Sequence, residues 1–173
     1  YNLENVVISD GVRAIGEEAF QNCAQLTSIT IPDSVVSIGN GAFSGCPVLS
    51  TVIIPGSVTY LGNTAFSNCD GLITVSIPSS ITRIEDGTFE NCESLAEITI
   101  PNSVNFIGSG AFIGCTALTS LTIPDSVITI GDNAFTHCSS LGDITLPDSI
   151  TSIGVAFNAC NGLTSITIPN SVT

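Results

Sequence analysis

Apolar residues recur along this chain on a beat of 23 residues, and Leu118–Ser140 shows the pattern in full. Leu118, Leu121 and Ile123 come first, with polar Thr119, Ser120 and Thr122 between them. Alternation of this kind predicts a strand with one face buried. Pro124 ends it, because proline has no N–H to extend a ladder, and Asp125-Ser126 carries turn chemistry. Val127 and Ile130, closed by Gly131, predict a second short extended run. Ala134, Phe135, Cys138 and Leu141 then fall at a spacing near three, which predicts a helical or 3₁₀ turn. Each unit therefore reads as strand, turn, short strand, helical turn, and back to strand.

The same beat runs from end to end. Cysteines stand at 23, 46, 69, 92, 115, 138 and 160, and the units open near Leu3, Leu26, Leu49, Leu72, Leu95, Leu118, Leu141 and Leu163. Phe20, Phe43, Phe66, Phe89, Phe112, Phe135 and Phe157 keep step. One residue is missing between Gly154 and Ala156, which reads as a shortened surface turn. A strict period of this length marks stacked repeats, because no single unit can cover its own apolar edge. The expected fold is thus one domain over 1–173, an α/β repeat solenoid of about seven and a half coils, like stacked on like. Parallel strands ~4.7–4.9 Å apart would make a body ~35–40 Å long, curved because helical turns are thicker than strands. The chain starts and stops inside a repeat, so it reads as a piece of a longer protein with uncapped ends that invite self-association, end to end or as a dimer.

The unit L-T-S-I-T-I-P-D-S-V-x-x-I-G-x-x-A-F-x-x-C resembles the BspA-like leucine-rich repeat over essentially the whole chain. It departs from the commoner pattern L-x-x-L-x-L-x-x-N, since Ser34, Ser57, Ser80, Ser103, Ser126 and Ser149 stand where that pattern has Asn. The resemblance implies a right-handed curved leucine-rich-repeat stack, with its parallel β-sheet on the concave face. It also implies an extracellular or cell-surface setting, and adhesion or protein binding rather than catalysis.

Composition narrows the chemistry. Fifteen acids face only Arg13 and Arg83, a formal net charge of −13. Phosphate backbones and anionic lipid surfaces would be repelled, so nucleic-acid binding and direct membrane insertion are not expected. Metal and catalytic readings are weak. The cysteines are at least 22 residues apart, so no close ligand pair exists, and each sits on an apolar beat as a small hydrophobe. Inter-coil disulfides remain an alternative, though the number of cysteines is odd. His137, the single histidine, precedes Cys138 in a slot held elsewhere by Gly45, Asn68, Asn91 and Gly114, and reads as a surface residue. Asp33, Asp125 and Asp148 share a turn position that could hold calcium, but Gly56, Ser79, Asn102 and Asn170 occupy it too. No phosphate loop is present. Neither metal nor cofactor is expected, and no enzymatic activity.

The strand face is the candidate site. Its buried beats are uniform, whereas its outward positions vary: Ser28, Thr30, Thr51, Ile53, Ile73, Thr74, Ser76, Glu97, Thr99, Ser120, Thr122, Asp143 and Thr145. Such a row suits contact with a protein or glycan ligand. Its Ser/Thr columns also resemble ice-binding solenoids, although Ile53, Glu97 and Asp143 break the array. Threonine is in addition simply a good exposed strand residue.

Overall fold

The computed structural model describes residues 2–173. The chain winds as a parallel β-solenoid with two strand-bearing faces and a third side made of turns. The first face carries β1 (Asn5–Val7), β3 (Ser28–Thr30), β5 (Thr51–Ile53), β7 (Thr74–Ser76), β11 (Ile144–Thr145) and β13 (Ile166–Thr167). The second carries β2 (Ala14–Ile15), β4 (Ser37–Ile38), β6 (Tyr60–Leu61), β8 (Arg83–Ile84), β9 (Phe106–Ile107), β10 (Thr129–Ile130) and β12 (Ser152–Ile153). Every pairing is parallel and in repeat register, as Thr51↔Thr74 on the first face and Arg83↔Phe106 on the second. Between the faces, the N–H of the residue three after the Pro that ends each first-face strand donates to that Pro's carbonyl from Pro32 onward, for instance Val104 to Pro101 at 3.0 Å.

One continuous core runs through the coils, built from the predicted beats. Phe43, Phe66, Phe89, Phe112 and Phe135 are fully buried, as are Leu49, Leu72, Leu95, Leu118 and Leu141. The phenyl rings form an unbroken offset stack from Phe20 to Phe157, with centroids 5.2–5.8 Å apart and ring planes within 17°.

The third side corrects the α/β expectation: among the described residues no segment is helical. The spacing of three belongs instead to consecutive tight turns. The N–H of Ala42 donates to Gly39, that of Ser44 to Gly41 and that of Leu49 to Cys46. Two left-handed residues per coil stop these turns from winding into a helix. The first slot holds Gly41, Thr64, Gly87, Gly110 and Asn133, and the second Gly45, Asn68, Asn91, Gly114 and His137, all with φ between 52° and 74°. A right-handed helix cannot pass through such a residue. The N–H groups between the turns point to the next coil: Phe43 donates to Ala65, Phe66 to Thr88 and Phe89 to Ala111, at 2.8–2.9 Å. The missing residue of the last full coil is the first left-handed one, since Asn133 N–H reaches Val155 and Phe135 N–H reaches Ala156.

A second correction concerns where the main sheet lies. The first face holds only the pairs β1–β3, β5–β7 and β11–β13, whereas the second holds a three-stranded and a four-stranded sheet. The two faces differ in what draws successive coils together. The second face has two such devices. Ser57, Ser103 and Ser126 donate to the carbonyls of Val35, Ile81 and Val104 at 2.6 Å, each in the coil before. These serines stand where the commoner leucine-rich pattern has Asn. Glycines then allow close backbone approach: a Cβ on Gly62, Gly108 or Gly131 would lie 2.5–2.6 Å from a backbone nitrogen of the coil before. On the first face the comparable side-chain bond is that of Thr27 Oγ1 to the Glu4 carbonyl, at 2.9 Å.

Two substitutions separate these contributions. Phe89→Ala opens a cavity in the ring stack and is expected to destabilise by roughly 3–5 kcal/mol. Gly108→Ala overpacks the coil contact and is expected to cost about 1–3 kcal/mol. Urea unfolding followed by far-UV circular dichroism measures both.

Candidate functional site

All thirteen candidate positions of the strand face are exposed to solvent. The alternation that places them there is sharp: Val52 is 1% accessible and its neighbour Ile53 is 70% accessible. Register then lines side chains up across coils, with Ser28 beside Asn5, Thr30 beside Val7, Thr51 beside Thr74, Ile53 beside Ser76 and Thr145 beside Thr167. The outward row is therefore a set of columns running along the solenoid.

The columns are not equally free to bind. Ser28 donates to Asn5 Oδ1. Asp143 spends its Oδ1 on the Thr164 hydroxyl and on the amides of Thr164 and Ser165, all at 2.9 Å. Those donors, led by the Thr164 hydroxyl, hold the Asp143 carboxyl below its ordinary range. Asp143 thus ties the last two coils together across the shortened repeat, a duty that its place in the outward row did not suggest.

Toward the middle of the face lies a trough of about 540 Å³. Thr74, Glu97, Asn102, Thr99, Ser120 and Thr122 give it polar walls, and Val75, Ile98, Ile100, Leu121 and Pro124 give it apolar surface. It brings together five of the predicted residues: Thr74, Glu97, Thr99, Ser120 and Thr122. The remaining eight line the face on either side. Pattern reading missed Asn102, which sits beyond the strand proper just after Pro101. The floor residues belong to the buried beats, and Val75, Ile98, Ile100 and Leu121 keep only 5–9% of their surface accessible.

The other candidates find structural employment. All seven cysteines are buried and free. From the second coil onward each thiol donates to a Phe carbonyl of the coil before: Cys69 to Phe43, Cys92 to Phe66 and Cys115 to Phe89, at 3.1–3.2 Å. Burial pushes the thiols of Cys92 and Cys138 up, and that of Cys115 up to about 12. His137 is exposed and holds a left-handed turn residue at φ 62°, which is why Gly and Asn fill that slot elsewhere. Among the described residues no three of His, Cys, Asp and Glu gather as a metal-ligand group.

With the geometry in place, comparison with known proteins is decisive. The family described as BspA type leucine rich repeat region matches in 6 copies, over residues 1–119 and 64–173. The chain belongs to that family. Solved structures agree with the BspA-type assignment. A leucine rich repeat protein from T. pallidum is 33% identical with a TM-score of 0.89, the match covering 95% of this chain and 80% of that one. A leucine rich cell surface protein from Faecalibacterium prausnitzii is 32% identical with a TM-score of 0.65, covering 99% of this chain. This chain spans only 55% of that relative's length. A leucine-rich repeat protein from Eubacterium ventriosum is 26% identical, with a TM-score of 0.84 and coverage of 98% and 45%. No curated protein matches.

The thiol column of this BspA-type solenoid has a measurable signature. A thiolate forms slowly when its thiol is buried and its proton is held on a carbonyl. In the folded chain at mildly alkaline pH, Cys92, Cys115 and Cys138 are expected to resist a thiol reagent, and in denaturant the chain is expected to titrate seven groups. Fewer than seven after denaturation would mean that coils are joined by disulfides.

Proposed function

We propose that this solenoid is a non-enzymatic binding scaffold of a secreted or surface-anchored protein, and that its strand face grips a protein ligand. One observation carries the reading. Beneath that face the coils repeat the same buried residues, while the exposed positions above them change from coil to coil. Packing fixes the buried beats, so the exposed row is where a ligand can be distinguished without disturbing the stack. The cell-surface description of the Faecalibacterium prausnitzii relative supports the setting. The solenoid's single histidine fills a turn slot, and its cysteines are committed to the core, so the repeats have little to offer a reaction.

Binding would then rest on many modest polar contacts from Thr and Ser hydroxyls, with Ile53 and Ile73 as apolar anchors at 70% and 52% accessibility. Labelled chain applied to peptide and glycan arrays supplies ligands for the test. Thr74→Arg and Thr99→Arg place long cations in the trough and touch no core residue. Each is expected to weaken binding at least ~tenfold, about 1.4 kcal/mol, with unchanged circular dichroism. Binding kept by both variants would move the site off this face.

A further inference from the structure

A glycine that follows Asn or Asp brings a backbone nitrogen within reach of a side-chain carbonyl carbon. The chain holds five such steps: Asp10-Gly11, Asn40-Gly41, Asp70-Gly71, Asp86-Gly87 and Asn161-Gly162. Without a Cβ in the way, the glycine nitrogen can close onto that carbon as a five-membered imide. The attack needs the nitrogen to shed its proton, and a hydrogen bond from that N–H opposes it.

Coil-to-coil bonding holds four of the five steps. Gly11 N–H donates to Ser34 Oγ at 3.0 Å. Those of Gly41, Gly71 and Gly87 donate to the carbonyls of Asn63, Pro47 and Ser109, each at 2.9 Å. Asn40 is held at its side chain as well, where Oδ1 accepts from Asn63 N–H at 3.0 Å and from the Tyr60 hydroxyl at 3.3 Å. Gly162 differs. It stands at the place of Gly71, Ser94 and Ala117, whose N–H groups all donate to the coil before. Among the described residues its own N–H has no such partner, and Asn161 beside it is exposed.

We infer that Asn161 is a site of self-modification, converted by water to aspartate and isoaspartate in the folded solenoid while the other four steps stay intact. The Gly162 nitrogen gives up its proton and bonds to Asn161 Cγ. The bond from Cγ to Nδ2 breaks, and the amide nitrogen leaves as ammonia with that proton. Water then opens the imide at either carbonyl, restoring one amide and leaving one carboxyl. Opening at the main-chain carbonyl leaves the backbone running through Cβ and Cγ, one methylene longer. That longer link falls inside the turn closed by Leu163 N–H on the Cys160 carbonyl at 3.1 Å. Beyond it the last coil is tied by Thr164 and Ser165 to Asp143, and by Ser171 Oγ to the Ile150 carbonyl. Those bonds depend on register, so the isoaspartyl form loosens the last coil.

Incubation in mildly alkaline buffer, then peptic digestion in acid and peptide mapping by mass spectrometry, tests this on the folded chain and in urea. In urea Asn40 and Asn161 are expected to convert at similar rates. In the folded chain Asn161 is expected to keep converting while Asn40 slows at least ~tenfold, because its step reacts only when the coils open. Asn161→Ser is expected to remove the early conversion with circular dichroism unchanged. Folded Asn40 converting as fast as Asn161, or Asn161 converting only in urea, overturns the inference. Amide hydrogen exchange over 163–173 is expected to be faster in the isoaspartyl form than in the unconverted chain. Equal exchange in the two forms overturns the loosening.

Discussion

The stacked phenyl column joins every coil to the next and fixes the register in which all else repeats. Its rings lie 5.2–5.8 Å apart between centroids in offset stacks, while the backbone beside them is hydrogen-bonded from coil to coil at 2.8–2.9 Å. On the second face serines reach back to carbonyls and glycines let backbones touch, and there the longer sheets form. On the first face pairing is shorter and the outward side chains carry the variation.

Thiols fit the same scheme. From Cys46 onward each buried sulfur has a carbonyl to donate to, so a Cys at this beat does more than fill volume. Serine there would be shorter and more strongly hydrated, and alanine would leave the Phe carbonyl without its second donor. A small, weakly polar, weakly hydrated side chain suits a site that is dry yet faces a carbonyl.

Much of this was legible from the pattern. Period, core beats and exposed row could be read because burial repeats with the chain, and Val52 against Ile53 shows how sharply. The turns could not be. Ala134, Phe135 and Cys138 have helical spacing, and only the left-handed backbone at Asn133 and His137 shows why no helix forms. Glycine and asparagine alternating in those slots were the available signal, and the histidine among them concealed it. The trough was invisible for another reason: Glu97 and Thr99 look like any other pair in the row, and a concavity shared by three coils leaves no mark on a hydrophobic pattern. Nor does the commitment of Asp143, whose carboxylate accepts from Thr164 and Ser165 of the next coil.

Arg83 carries one more consequence. A protease that cleaves after basic residues finds only two targets in this chain, after Arg13 and after Arg83. Cleavage requires a peptide that can leave its surroundings and extend into the enzyme. Arg83 lies in a strand paired with Phe106, its guanidinium held over that ring and against Glu85. Arg13 is tied in the same way, its carbonyl accepting from Val36 N–H at 2.8 Å and Ala14 after it pairing with Ser37. Within this solenoid both bonds open to a trypsin-like enzyme are thus held in coil-to-coil pairing, and cleavage waits on local opening of the stack.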